Sequence, residues 1–144
     1  MRDVYVIGSH CIKFDKYLGY SVKDLTGWTV QGCIEDAGVN KSDIQAVWFA
    51  NSVWGLYKGQ SSIRGQIALR PWGVDTIPIT NVENACAGGS TAFHQAWQGV
   101  ASGLYEMTMS IGAEKLFKTN KMSIFAGFLG GIYIENSAQI IEEL

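Results

Sequence analysis

A cysteine set at the joint between an apolar strand pattern and an apolar helix pattern constrains this chain more than any other feature. In TIPITNVENACAGGSTAFHQAWQGVAS, residues 76–102, Ile77, Ile79 and Val82 have the β-branched character of a buried strand. Phe93, Ala96, Trp97, Val100 and Leu104 then recur at helical spacing and predict the inward face of a helix. Cys86 lies between the two, followed by the small run Ala87, Gly88, Gly89 and Ser90. A thiol at a helix N-terminus meets unpaired backbone N–H groups and the positive end of the helix dipole, surroundings that favour a thiolate. Small neighbours leave room for a substrate carbonyl to reach backbone donors. The residues alone leave two readings of Cys86: an activated nucleophile, or a small buried hydrophobe at a strand-to-helix junction.

The flanking chain reads as an α/β unit. Val4–Ile7, an apolar run ending at Gly8, predicts a first central strand, with His10 and Cys11 in the loop after it. Ser21 and Asp24 have the spacing of a capping box, and Leu25, Trp28, Cys33 and Ala37 share a broad helical face ending at Gly38, a C-cap glycine. Cys33 on that face reads as a small core residue. After a polar turn at residues 40–43, Ala46–Ala50 is the second strand. Residues 61–69 predict a short helix stopped before Pro71. Trp54, Tyr57 and Trp72 around it suit either core capping or a subunit contact. Arg64 and Arg70 are either anion ligands or solvated cations. Residues 107–111 alternate apolar with polar, a further strand, before Gly112, Ala113 and Glu114. This order places Cys86 at the carboxyl end of a strand, where open parallel sheets carry their sites.

From Lys118 onward the chain is glycine- and aromatic-rich, and a helix begins near Asn136 or Ser137 just before the end. Glu142 and Glu143 there oppose the helix dipole, and Ile140, Ile141 and Leu144 have no later turn to pack with, so a truncated, incomplete or partnered polypeptide is expected.

The totals exclude several classes. At 144 residues, 47% hydrophobic, the chain can bury a core. A net charge of -2 without a Lys/Arg cluster argues against a nucleic-acid surface. Three cysteines without C-x-x-C spacing indicate neither a disulfide framework nor a metal site, and suit a reducing cytoplasm. The N-terminus lacks the basic start and apolar run of a signal peptide. The apolar stretch Ile124–Ile134 is shorter than the ~20 residues of a membrane span.

A cysteine nucleophile needs a base, and the chain holds only two histidines. His94 lies eight residues after Cys86, about 12 Å along a helix axis at ~1.5 Å per residue, beyond hydrogen-bond reach. His10 follows the first predicted strand with no partner cluster beside it. Glu83 and Asn84 stand close enough in sequence to orient groups near the sulfur, or serve simply as turn residues.

NVENACAGGSTAF, with the strand end Gly112-Ala113-Glu114-Lys115, resembles the thiolase superfamily, most closely its sterol-carrier or lipid-transfer-type branch. GQSSIRGQIALRPWG and the opening VYVIGSH and KFDKYLGYS fit the same pattern. The resemblance runs from about Val4 to Lys115 and is specific around Cys86. It implies the α/β layered thiolase fold, with this chain holding the N-terminal βαβαβαβ half (residues 1–117) and the start of the loop region that covers the active site (118–144). It further implies that Cys86 is the catalytic nucleophile that carries an acyl group as a thioester, its own backbone N–H contributing to the oxyanion hole. Coenzyme A enters as part of the acyl-CoA substrate, with no separate cofactor. Family members act as dimers or dimers of dimers, and residues 79–84 would pair across subunits. The family's activating histidine, its second cysteine and much of its CoA surface come from a C-terminal half with no counterpart here, so no residue takes those roles. The expected function is an acyltransferase acting on β-ketoacyl-CoA, completed by further chain or by a thiolase-like or acyl-CoA-binding partner subunit. A retro-aldolase of the same branch and a non-catalytic scaffold subunit are the alternatives.

Overall fold

Ala46–Ala50, β1, is apolar at every position because it is the middle strand of a sheet covered on both faces. The computed structural model describes residues 1–119 and 122–142. Three parallel strands are ordered β2-β1-β3, where β2 is Ile79–Val82 and β3 is Thr108–Gly112. Val47 pairs with Ile79 on one side and Met109 on the other. The strand period divides the layers: Val47 and Phe49 join Met109 and Ile111 in one core, while Trp48 and Ala50 join Val82 and Ala92 in another.

The first core is closed by α1, Val22–Ala37, and α3, Arg64–Leu69, through Val22, Val30, Ala68 and Leu69. The predicted capping box is present: Ser21 Oγ accepts from the Asp24 N–H, and Asp24 accepts from the Ser21 N–H at 2.7 Å. Gly38 ends the helix at φ 65°. Trp72 closes the outer side of α1, its indole N–H donating to the Lys23 carbonyl at 2.9 Å, with its ring against Gly27. A Cβ on Gly27 would come within 1.7 Å of that ring. Of the other aromatics in this stretch, Trp54 packs on the core and Tyr57 donates to the Ile124 carbonyl at 2.8 Å. Two features go beyond the sequence reading. Residues 54–58 form a short helix, α2 (Trp54–Lys58), and the predicted 61–69 helix begins only at Arg64.

The second core is closed by α4, Gly88–Ala101, and here the expected helix face is corrected. Gly88, Ala92, Ala96 and Gly99 face the sheet, whereas Phe93 is 52% exposed and Leu104, beyond the helix, 71%. The helix lies so near β1 that a Cβ on Gly99 would sit 2.9 Å from the Trp48 ring, so only the small-residue stripe fits.

Val4–Ile7 is a second correction: it joins no strand ladder. Arg2 anchors its start at the end of α4, donating to the Val100 and Tyr105 carbonyls at 3.2 and 2.8 Å and pairing with Glu106 at 2.7 Å. The Ser9 N–H, bonded to Asp36 at 2.8 Å, and Gly8, against Ala37, hold its end on α1. Pinned at both ends, the segment stands off from β3 across an apolar gap of about 530 Å³, leaving Tyr5, Val6 and Ile7 exposed.

The last part of the chain forms α5, Met122–Leu129, and α6, Ser137–Glu142, the latter starting where a helix was expected. Lys118 ties its approach to α2, donating to the Tyr57 carbonyl at 3.0 Å and lying over that ring at 4.4 Å. Glu143 and Leu144 lie outside the described residues.

Candidate active site

Cys86 occupies a single-turn 3-10 segment, Ala85–Ala87, that runs directly into α4. Its side chain is exposed and its thiol free. The turn is tight because Ala85 takes φ 44°, the left-handed region that costs an L-residue roughly 1–2 kcal/mol. Such strain persists only where surrounding bonds hold it. The Ala87 N–H donates to the Asn84 carbonyl at 2.9 Å, and the Asn84 side-chain amide donates to Thr91 Oγ1 at 2.9 Å, tying the turn to the first turn of α4.

The carboxyl ends of all three strands meet around this turn. Asn51, following β1 and only 4% exposed, donates to the Ala113 carbonyl at 2.8 Å. Its Oδ1 accepts from the Trp54 N–H at 3.2 Å and from Arg64 at 3.0 Å. Arg64 also donates to the carbonyls of Asn51 and Ser52, at 2.6 and 3.0 Å. Glu114, following β3, accepts from the N–H groups of Ser52 and Val53. Glu83, following β2, accepts from Ser52 Oγ at 3.0 Å and from the Ala85 N–H at 2.7 Å.

The two carboxylates titrate in opposite directions. Hydrogen bonds from the Ala85 N–H and the Ser52 hydroxyl hold Glu83 below its usual range, with Arg64 adding a smaller pull. Desolvation pushes Glu114 up against the opposing N–H bonds of Ser52 and Val53. Arg64 is thus committed to the loop after β1, whereas Arg70 is exposed.

The other candidates make contacts of their own. The His94 ring stacks on Trp97 with centroids 5.7 Å apart, and the His10 ring packs over Gly32 of α1. Cys33 is half-buried against the first core, and burial raises its thiol, with Asp36 adding to the effect. A cavity of about 700 Å³ is walled by the N-terminal segment and residues 109–117, with Cys86 outside it. Its walls continue the gap beside β3, so it is an opening in the layer and not a pocket at the thiol.

The arrangement presents an accessible thiol on a fixed turn at a helix N-terminus, with two carboxylates and a guanidinium holding the backbone behind it. Asn51, Ser52, Arg64 and Glu114 were not singled out together by sequence reasoning. The available signal was that Asn51, Glu83 and Glu114 each follow closely on a predicted strand, the end at which parallel sheets gather polar groups. No helix among the described residues is long and apolar enough to cross a membrane.

Comparison with known proteins identifies the family. The model of the thiolase N-terminal domain matches residues 4–130. An acetyl-CoA acetyltransferase of Methanothermobacter thermautotrophicus is 39% identical over 116 residues, covering 81% of this chain and 30% of the relative. Sterol carrier protein 2 of Gallus gallus is 32% identical over 127 residues, covering 87% of this chain and 22% of the relative. The solved structure of the acyltransferase ChlB3 superposes with a TM-score of 0.54 at 18% identity, covering 67% of this chain and 28% of that one, a likeness of fold. The chain spans less than a third of the length of these proteins. It belongs to the thiolase family, matching its N-terminal domain.

Proposed function

We propose that this chain is the N-terminal part of a thiolase-like acyl-CoA acyltransferase in which Cys86 is the acyl-carrying nucleophile. The observation that carries the reading is the exposed Cys86 thiol on the strained turn between β2 and α4. In the cleavage direction the thiolate attacks the β-keto carbon of a β-ketoacyl-CoA. The Cα–Cβ bond then breaks, the acyl group stays on Sγ, and the departing enolate of acetyl-CoA takes a proton. The thiolate of a second CoA next attacks the acyl carbon and releases Cys86. The Cys86 backbone N–H serves the oxyanion in both steps. The groups that move the protons come from polypeptide beyond these residues, a reading supported by the length of the relatives and by His94 and His10 being turned to Trp97 and Gly32. A dimer formed through the exposed edge of β2, and action in the reducing cytoplasm, where three free thiols persist, belong to the same proposal.

The test is turnover of acetoacetyl-CoA with CoA by the complete assembly, before and after Cys86→Ala. Loss of at least a thousandfold is expected, and an unchanged rate would overturn the role of Cys86. A retro-aldol reaction is read in the same assay by offering a β-hydroxyacyl-CoA without CoA. A scaffold role is the second reading, favoured by the exposed Tyr5, Val6 and Ile7 beside the outer edge of β3. It predicts that a partner retains full activity when this chain carries Cys86→Ala.

A further inference from the structure

The left-handed Ala85 is the one strained residue next to the thiol, so whatever holds its backbone also sets where Sγ points. Ala85 offers its N–H to Glu83 Oε1 at 2.7 Å. A carboxylate bonding an N–H two residues on is a common local turn and would by itself mean little. Here the same oxygen also accepts from Ser52 Oγ at 3.0 Å, across from the loop that follows β1. Ser52 is in turn fixed on both sides: Glu114 accepts from its N–H, and Arg64 donates to its carbonyl at 3.0 Å. The bonds therefore run from α3 and the end of β3, through Ser52 and Glu83, to the residue before the cysteine.

We propose that Glu83 is a positioning residue for Cys86: its carboxylate, tethered by the Ser52 hydroxyl, clamps the Ala85 N–H and keeps the left-handed turn that directs the thiol. This rests on the acyl-carrier reading above and extends it to a residue that acts on the thiol through the backbone of Ala85. What the clamp requires of position 83 is an oxygen acceptor, so Gln satisfies it and Ala does not. What it imposes on Ala85 is a conformation glycine adopts without penalty, so glycine at 85 lessens the need for it.

The experiment follows two reactions of Cys86 in the complete assembly by peptide mass spectrometry. Acylation by acetyl-CoA demands a directed thiol, whereas alkylation by iodoacetamide demands only an accessible one. Glu83→Ala is expected to slow acylation at least tenfold while alkylation stays within twofold. Glu83→Gln and the double variant Glu83→Ala with Ala85→Gly should return acylation to within threefold of the unaltered chain. Alkylation of half-buried Cys33 reports folding: if it accelerates in Glu83→Ala, Ser52→Ala decides instead, with the same tenfold slowing expected. Equal acylation in the unaltered and Glu83→Ala (or Ser52→Ala) chains would overturn the clamp alone, as would a Glu83→Gln chain as slow as Glu83→Ala, or alkylation falling in parallel with acylation. No acyl adduct on Cys86 of the unaltered complete assembly would overturn the acyl-carrier reading itself.

Discussion

Replacing Asn51 with alanine is expected to loosen the junction of the three strand ends more than any single change at the surface around it. Asn51 is 4% exposed and makes three bonds: Nδ2 to the Ala113 carbonyl at 2.8 Å, and Oδ1 from the Trp54 N–H at 3.2 Å and from Arg64 at 3.0 Å. Each neutral bond is worth about 1 kcal/mol net and the one to the guanidinium about 2, so their loss costs about 4 kcal/mol. That is a large share of a domain's usual ~5–15 kcal/mol. Urea titration by far-ultraviolet circular dichroism should show the midpoint falling by about 2 M, with little change in slope. Asn51→Asp keeps the Oδ1 acceptor but sets a second carboxylate oxygen against the Ala113 carbonyl in a buried site, so it should lower the midpoint as well. A midpoint shift under about 0.5 M in Asn51→Ala would mean that the three strand ends are held together without this side chain.

Gly27→Ala drives a Cβ into the Trp72 ring and should cost about 1–3 kcal/mol, with the tryptophan emission shifting red as the indole is displaced. The carboxylates predict opposite pH dependences. Asp24, lowered chiefly by the Ser21 backbone N–H, adds stability that is present above its unfolded pKa and is lost as pH falls through its lower folded value. Asp24→Asn should therefore flatten the acid limb of a melting-temperature profile. Glu114, raised by desolvation, binds its proton more readily in the folded state, so its contribution falls as pH rises from its unfolded value through its raised folded one. Glu114→Gln should remove that decline, and a profile identical to the unaltered chain's would contradict it.

The parts of the fold that could be read from sequence were those fixed by neighbours in the chain. The Ser21–Asp24 box, the Gly38 cap and the β1 run each carry their physical cause within a few residues. Val4–Ile7 looked equally strand-like, but a strand needs a partner, and this segment is bonded instead through Arg2 and Ser9 to α4 and α1. Periodicity marked α4 correctly as a helix and misjudged its face, because two stripes of the same period run along it. The gap above Trp48 selects the small one, a fact set by how near the helix lies to the sheet. Cys86 was legible because strand, small turn and helix are contiguous. Of the bonds that brace it, that from Ala85 to Glu83 is local, whereas those joining residues 51–53 to 64, 83 and 114 span separations that leave no local pattern.

Whether Cys86 carries the acyl group is read by quenching the complete assembly with acid during turnover of acetoacetyl-CoA and sequencing its peptides by mass spectrometry. An acetyl thioester is expected on Cys86, absent from Cys11 and Cys33 and discharged when CoA is added. Turnover that persists with Cys86 unmodified, or with Cys86→Ala in its place, would contradict it.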